Sequence, residues 1–189
     1  ASPPEKEFAW AEDGIEGCFR FLNRVWSIVE EERDLFVEGA SPSIRRDVSA
    51  GLTLLKKTHQ TIRKVTEDIG KRFHLNTAIS SIMELYNLIR KEKDSLRPGE
   101  EGRAVLRLAL ESMIVLLAPF TPHIAEELWE RTGHRGLLAR HPWPAFDPEL
   151  AREERVTIVV QVNGKLRDKI EAEAAIVEAD MKERALGLD

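Results

Sequence analysis

The stretch from Ala104 to Ala118 is almost continuously apolar, and it lies beside three other segments whose apolar side chains return every third or fourth position. A run of this length, opened by Arg97-Pro98-Gly99 and closed by Pro119, is too long for a typical strand and too short to span a bilayer. It predicts a helix enclosed by other helices. The enclosing set follows from the period. Ile15, Phe19, Leu22, Trp26 and Val29 mark one helix, starting near a cap at Asp13 with Cys18 buried among them. Val48, Leu52, Leu55, Ile62, Val65, Ile69 and Phe73 mark a second, from about Ile44 to Phe73. Ala78, Ile79, Ile82, Leu85, Tyr86 and Ile89 mark a third, capped by Asn76. A short amphipathic segment, Ile124 to Trp129, follows the prolines. Four long helices on short loops predict an up-and-down bundle.

The rest of the chain reads differently. Residues 133–155, with Gly136, Pro142, Pro144 and Pro148, read as a linker. Beyond it, 156–162 and 165–170 are strand-like around Asn163-Gly164, and a last helix is expected at about 178–186. A strict two-residue turn would set Val162, Val160 and Ile158 against Lys165, Arg167 and Lys169, so pairing apolar with apolar needs a bulge or an odd-numbered loop. The expected organisation is a mainly α bundle over 1–132, a linker over 133–155, and a partial, incomplete α+β unit with a β-hairpin over 156–189.

A content of 42% hydrophobic and 32% charged residues excludes a disordered chain. No signal peptide is legible, and the missing initiator Met fits a piece of a longer protein. One cysteine rules out an internal disulfide and a thiolate zinc site, and fits a reducing, cytoplasmic setting. No glycine-rich phosphate loop is present, and the five histidines show no zinc spacing. His123 with Glu126 lacks the facing carboxylates of a di-metal site, and Glu126 and Glu127 point to different sides of a helix, so both read as capping or surface groups. No catalytic residue and no cofactor site is expected in this segment.

Charge is the remaining lead. Residues 1–40 carry 4 basic and 10 acidic side chains, whereas 41–74 carry 8 and 3. Lys57, Lys64 and Lys71 lie seven apart, with Lys56 and Arg63 in a neighbouring row, a spacing that can follow a phosphate backbone. The competing reading is a solvated face, since Glu67 and Asp68 interrupt the row. Lys165, Arg167 and Lys169 alternate along one strand. Trp10, Trp26, Trp129 and Trp143 read as core or edge packing, and Trp143, in a proline-rich loop, is the one candidate docking residue among them.

The order of motifs then resembles bacterial-type leucyl-tRNA synthetases of class Ia. Ser2-Pro-Pro-Glu through Trp10 and Gly14-Ile-Glu-Gly through Trp26 resemble the chain that leaves the catalytic domain of that family. His59 to Ile69 and Phe73 to Ile79 look like helices of its anticodon-binding bundle. Leu117-Ala-Pro-Phe-Thr-Pro-His-Ile-Ala-Glu-Glu-Leu-Trp129 is similar across the leucyl, isoleucyl, valyl and methionyl enzymes, while Val160-Gln-Val-Asn-Gly-Lys-Leu-Arg167 resembles the start of the leucyl enzyme's small C-terminal domain. The resemblance implies leucine activation with ATP and Mg²⁺ by a full enzyme whose HIGH and KMSKS signatures and editing insertion do not occur in this sequence. It implies that this segment holds tRNA(Leu) by its backbone, docks on the catalytic domain of the same enzyme, and engages neither membrane nor DNA. Arg20 and Arg24 in the first motif, Lys57, Arg63 and Lys64 in the bundle, and Lys165 and Arg167 in the strand are the expected tRNA-binding residues. An isoleucyl- or valyl-type bundle is the nearest competing reading. A non-catalytic helical scaffold for protein, using the acidic first helix and an exposed Trp, is the other.

Overall fold

The computed structural model describes residues 12–36, 44, 48–153, 155–162 and 165–173, with side chains described outside 12, 13, 72 and the strands. The motif at Ser2–Trp10, the turn at Asn163-Gly164 and the expected last helix lie outside the described residues. Five α-helices dominate: α1 Glu12–Glu31, α2 Leu52–Glu67, α3 Leu75–Leu96, α4 Glu100–Leu117 and α5 Pro122–Arg131. The chain divides into two compact units at 151/152.

In the first unit α4 is the enclosed helix. Leu106, Leu110, Met113, Ile114 and Leu116 have no exposed surface, and they meet Leu54 and Leu55 of α2, Ile82, Leu85 and Ile89 of α3, and Leu128 of α5 in one core. Two glycines make the corners possible. A Cβ on Gly102 would fall 2.3 Å from the Leu96 carbonyl oxygen, so α3 and α4 can turn this tightly only on a bare backbone. Gly51 sits at φ 83°, in the left-handed region, and stops the chain from entering α2 earlier.

That break corrects the second helix, whose apolar period continued back to Ile44. From Val48 to Ala50 the backbone is irregular, and the Glu101 carboxylate of α4 accepts Ser49 N, Ser49 Oγ and Ala50 N at 2.7–2.9 Å. At the other end, Asp68–Arg72 form a π-helical turn that stops at Phe73, whose φ of 52° closes the helix. The extra residue per turn carries Phe73 off the inward face, and it is 64% exposed. Asn76 lies inside the first turn of α3 and is no cap; the Thr77 hydroxyl instead donates to the His74 carbonyl and the Asp68 carboxylate.

The first helix also differs from expectation. Phe21, Val25, Ile28 and Val29 are its buried residues, while Ile15, Cys18 and Phe19 are exposed. Helix period fixes which residues share a face, but not where along its length a helix leaves the core.

The expected linker packs from Gly133 to Ala151 as part of the first unit. Leu138, Leu150 and Ala151 are buried, the Trp143 indole donates to Thr66 Oγ1 at 2.8 Å, and Asp147 N donates to His59 Nδ1 at 3.1 Å. Trp143 therefore docks on α2 of its own chain. In the second unit, β1 Arg155–Val162 and β2 Lys165–Glu173 pair antiparallel, with Val162 opposite Lys165, a register shift after Val160, and Ile158 opposite Ile170.

Candidate nucleic-acid interface

The cationic row on α2 is engaged by its own protein. Lys57 Nζ lies 2.6 Å from Glu84 Oε2 on α3 and is only 29% exposed. Lys64 Nζ lies 3.1 Å from Asp68, a carboxylate with no exposed surface that also accepts the Thr77 hydroxyl at 2.6 Å. Lys56 and Arg63 are half-buried and also have partners. Lys71, on the π-helical turn, is exposed. A carboxylate that has lost its water needs a nearby cation, so the Lys64 ammonium serves Asp68 first.

A different arrangement holds between α1 and α3. Phe21 meets Tyr86 edge-on at 5.7 Å, and further along Glu32 pairs with Arg97, so the two helices run parallel and in step. Between them lies a groove of about 400 Å³ lined by Asn23, Arg24, Ser27, Glu31, Arg90 and Lys93, over a floor of Ile28 and Tyr86. Arg24 and Arg90 are exposed and have no ion pair or side-chain hydrogen bond among the described residues. Arg20, one turn before Arg24, makes an exposed pair with Glu16 at 2.7 Å. Such pairs contribute little and exchange readily with other anions.

The far end of the groove is closed by an ion cluster. Buried Glu32 is met by Arg97 and by Lys93 at 3.4 Å, Lys93 also reaches Glu31 and Asp94, and Asp34 takes Arg97 at 2.8 Å. Partial burial opposes the Lys93 charge, but the hydrogen bonds to Asp94 and Glu32 outweigh it and raise the pKa. The Arg97 pKa is raised chiefly by the field of Glu32. Both stay cationic, and both are committed to these acids.

Near the ion cluster, past Asp34, the first unit holds a cavity of about 680 Å³ lined by Phe36, Arg107, Glu111, Trp129, His134 and His141 among others. Its polar groups satisfy one another. Glu111 meets Arg107 Nε at 3.0 Å and His134 Nε2 at 3.2 Å, Thr132 Oγ1 lies 3.0 Å from His134 Nδ1, and the His134 ring stacks on Trp129 at 3.6 Å. Thr132 is buried and its hydroxyl also bonds the Leu128 and Trp129 carbonyls at 3.0 and 2.9 Å, so its contact with His134 belongs to the closure of the end of α5. Glu126 accepts Leu138 N and Ala139 N at 2.8 and 2.9 Å, which caps the 3₁₀ turn Leu138–Arg140, and Glu127 pairs with Arg131 at 2.9 Å. Among the described residues no cluster of His, Cys, Asp and Glu is placed to hold a metal.

The sequence pattern of the family described as the anticodon-binding domain of tRNA ligase matches residues 52–180, well over half of the chain. The chain belongs to this family. The matched part of the anticodon-binding domain covers α2 to α5 and both strands. Leucine–tRNA ligases of Geotalea daltonii, Syntrophus aciditrophicus and Nitratidesulfovibrio vulgaris are 46%, 45% and 43% identical to this chain over 96%, 99% and 98% of it. The agnB2 LeuRS of Agrobacterium radiobacter K84, solved in a ternary complex with tRNA and LeuAMS, superposes with a TM-score of 0.69 at 30% identity, covering 96% of this chain and 23% of that one. The chain spans about 22% of the length of the first two curated relatives.

Of the residues expected to meet RNA, the anticodon-binding domain places Arg20 and Arg24 on the open wall of α1 and Lys57 and Lys64 in ion pairs. Lys165 and Arg167 are on β2, and their side chains lie outside the described residues. Arg90 was not among those expected. It carries no motif, and only the pairing of α1 with α3 brings it level with Arg24.

Proposed function

We propose that this chain is the tRNA-binding portion of a leucine–tRNA ligase, meeting tRNA(Leu) through its sugar–phosphate backbone and leaving bond-making to another domain of the same enzyme. The observation that carries the reading is 43–46% identity to leucine–tRNA ligases over nearly the whole chain. The fold shared with a LeuRS solved with tRNA supports the choice of ligand. In the full enzyme ATP and Mg²⁺ would serve leucine activation elsewhere. The catalytic domain is the expected covalent neighbour, and the two strands would open a small C-terminal α+β unit. No helix among the described residues is long and apolar enough to cross a membrane, and the reading places the enzyme in the cytoplasm.

Filter binding of tRNA(Leu) across a salt series tests this. Affinity should fall linearly in log–log form, with a slope near −1 for each phosphate contacted. Absence of binding at low salt, or binding indifferent to salt, would contradict the reading.

A further inference from the structure

We propose that the groove between α1 and α3 is the RNA-facing wall of the bundle, with Arg24 and Arg90 gripping the phosphate backbone from its two sides and the α2 cations taking no part. The inference rests on the tRNA-binding reading above and names the surface that performs it.

Three features of the groove carry the assignment. The first is availability. Arg24 and Arg90 stand exposed on facing helices with no acid engaged among the described residues, whereas Lys57 and Lys64 neutralise Glu84 and buried Asp68. An RNA phosphate recruiting Lys64 would leave the Asp68 carboxylate buried and unpaired, whereas one recruiting Arg24 displaces only water. The second is geometry. Arg20 and Arg24 follow each other by one helical turn, about 6 Å along the axis, so α1 offers two guanidinium groups in file while α3 offers a third from across the groove. Guanidinium forks take phosphate oxygens two at a time, which suits a backbone lying along a cleft. The third is the lining. Asn23 uses one amide hydrogen on the Phe19 carbonyl at 2.9 Å and has a second to give, whereas the apolar floor, Ile28 and Tyr86, is 3% and 5% exposed. A protein partner would find little apolar surface there, while a phosphate finds donors. Glu31, held 3.5 Å from Lys93, bounds the groove and marks where the backbone must leave it.

The test compares two double variants of the 189-residue chain for tRNA(Leu) binding in a salt series: Arg24→Gln with Arg90→Gln, and Lys57→Met with Lys64→Met. The groove variant should lose at least about tenfold in affinity at low salt and reduce the salt slope by about two, with an unchanged thermal melt. The α2 variant should keep the wild-type slope even where its melt falls. A groove variant that binds like wild type, with the loss appearing in the α2 variant, overturns the inference and leaves the tRNA reading standing. Wild-type protein that fails to bind tRNA at all overturns the reading beneath it.

Discussion

Two sets of cations on this bundle differ in how plainly they stand out in sequence and in what the fold sets beside them. On α2, Lys57 and Lys64 stand seven apart as if to follow a polyanion, yet each faces an acid of its own protein, Glu84 across the helix pair and Asp68 one turn on. On α1 and α3, Arg24 and Arg90 belong to no row, and they are the ones left open beside a groove. A stripe of positive charge becomes a binding surface only where the neighbouring element brings no carboxylate to it. Net charge misleads in the same way: α1 lies in the most acidic stretch of the chain, but its acids sit at the two ends and the guanidinium groups between them.

The comparison can be broken first at Asp68. If the α2 cations are structural, Asp68→Ala should destabilise the protein by about 1–3 kcal/mol in a denaturant titration, because Lys64 and Thr77 lose a buried acceptor together. It should not tighten tRNA binding, although it frees a cation. Tighter binding would mean that α2 faces RNA after all.

A smaller effect is expected from acid. Burial disfavours the charged form of His59 on α2, nearby Asp147 only partly offsets this, and the pKa is lowered from 6.5. Because the folded value lies below the unfolded one, the stabilisation is complete above pH 6.5 and is lost as pH falls from there through the lowered value. Protonation also removes the acceptor for Asp147 N, so the strap from Trp143 to Asp147 should loosen. Melts of wild type and His59→Gln across this window should converge at low pH. Parallel curves would show that the strap is held by something else.

Lys57→Met should cost less, roughly 0.2–1 kcal/mol, and the cost should fade as salt rises, since Glu84 is 63% exposed. A double-mutant cycle with Glu84→Gln measures it. The smallest change belongs to Arg24→Gln and Arg90→Gln, which should leave stability within about 0.5 kcal/mol of wild type because neither side chain has an ion-pair or hydrogen-bond partner among the described residues.

The bundle was legible because its evidence is local. Ala104–Ala118 reads as an enclosed helix from its own composition, and α4 buries most of it. Pro98, Pro119 and Pro122 fall where helices stop or start. Local evidence also misled where it was locally consistent. The apolar period ran through Gly51 because sequence does not show that a left-handed turn there is held by Glu101, fifty residues on. Phe73 kept the period on paper, and a π-helical turn rotated it outward. Cys18 and Phe19 share a helix with buried residues but lie beyond the end of the core. Ion pairing was out of reach for the same reason. Lys57 and Glu84 meet through the relative register of α2 and α3, a tertiary quantity that no spacing within one helix contains. The segment 133–151 lacked period because it packs as an irregular strap, held by Leu138, Trp143 and Leu150 at separate points.

The central claim is that RNA lies along the α1–α3 groove and away from α2. Site-directed photocrosslinking asks this directly, with Cys18→Ser as background and a cysteine-linked probe placed at Ser27 in the groove or at Gln60 on α2. The account predicts crosslinks to tRNA(Leu) from the Ser27→Cys probe, competed by salt, and none above background from Gln60→Cys. Crosslinks from Gln60→Cys with none from Ser27→Cys would contradict it.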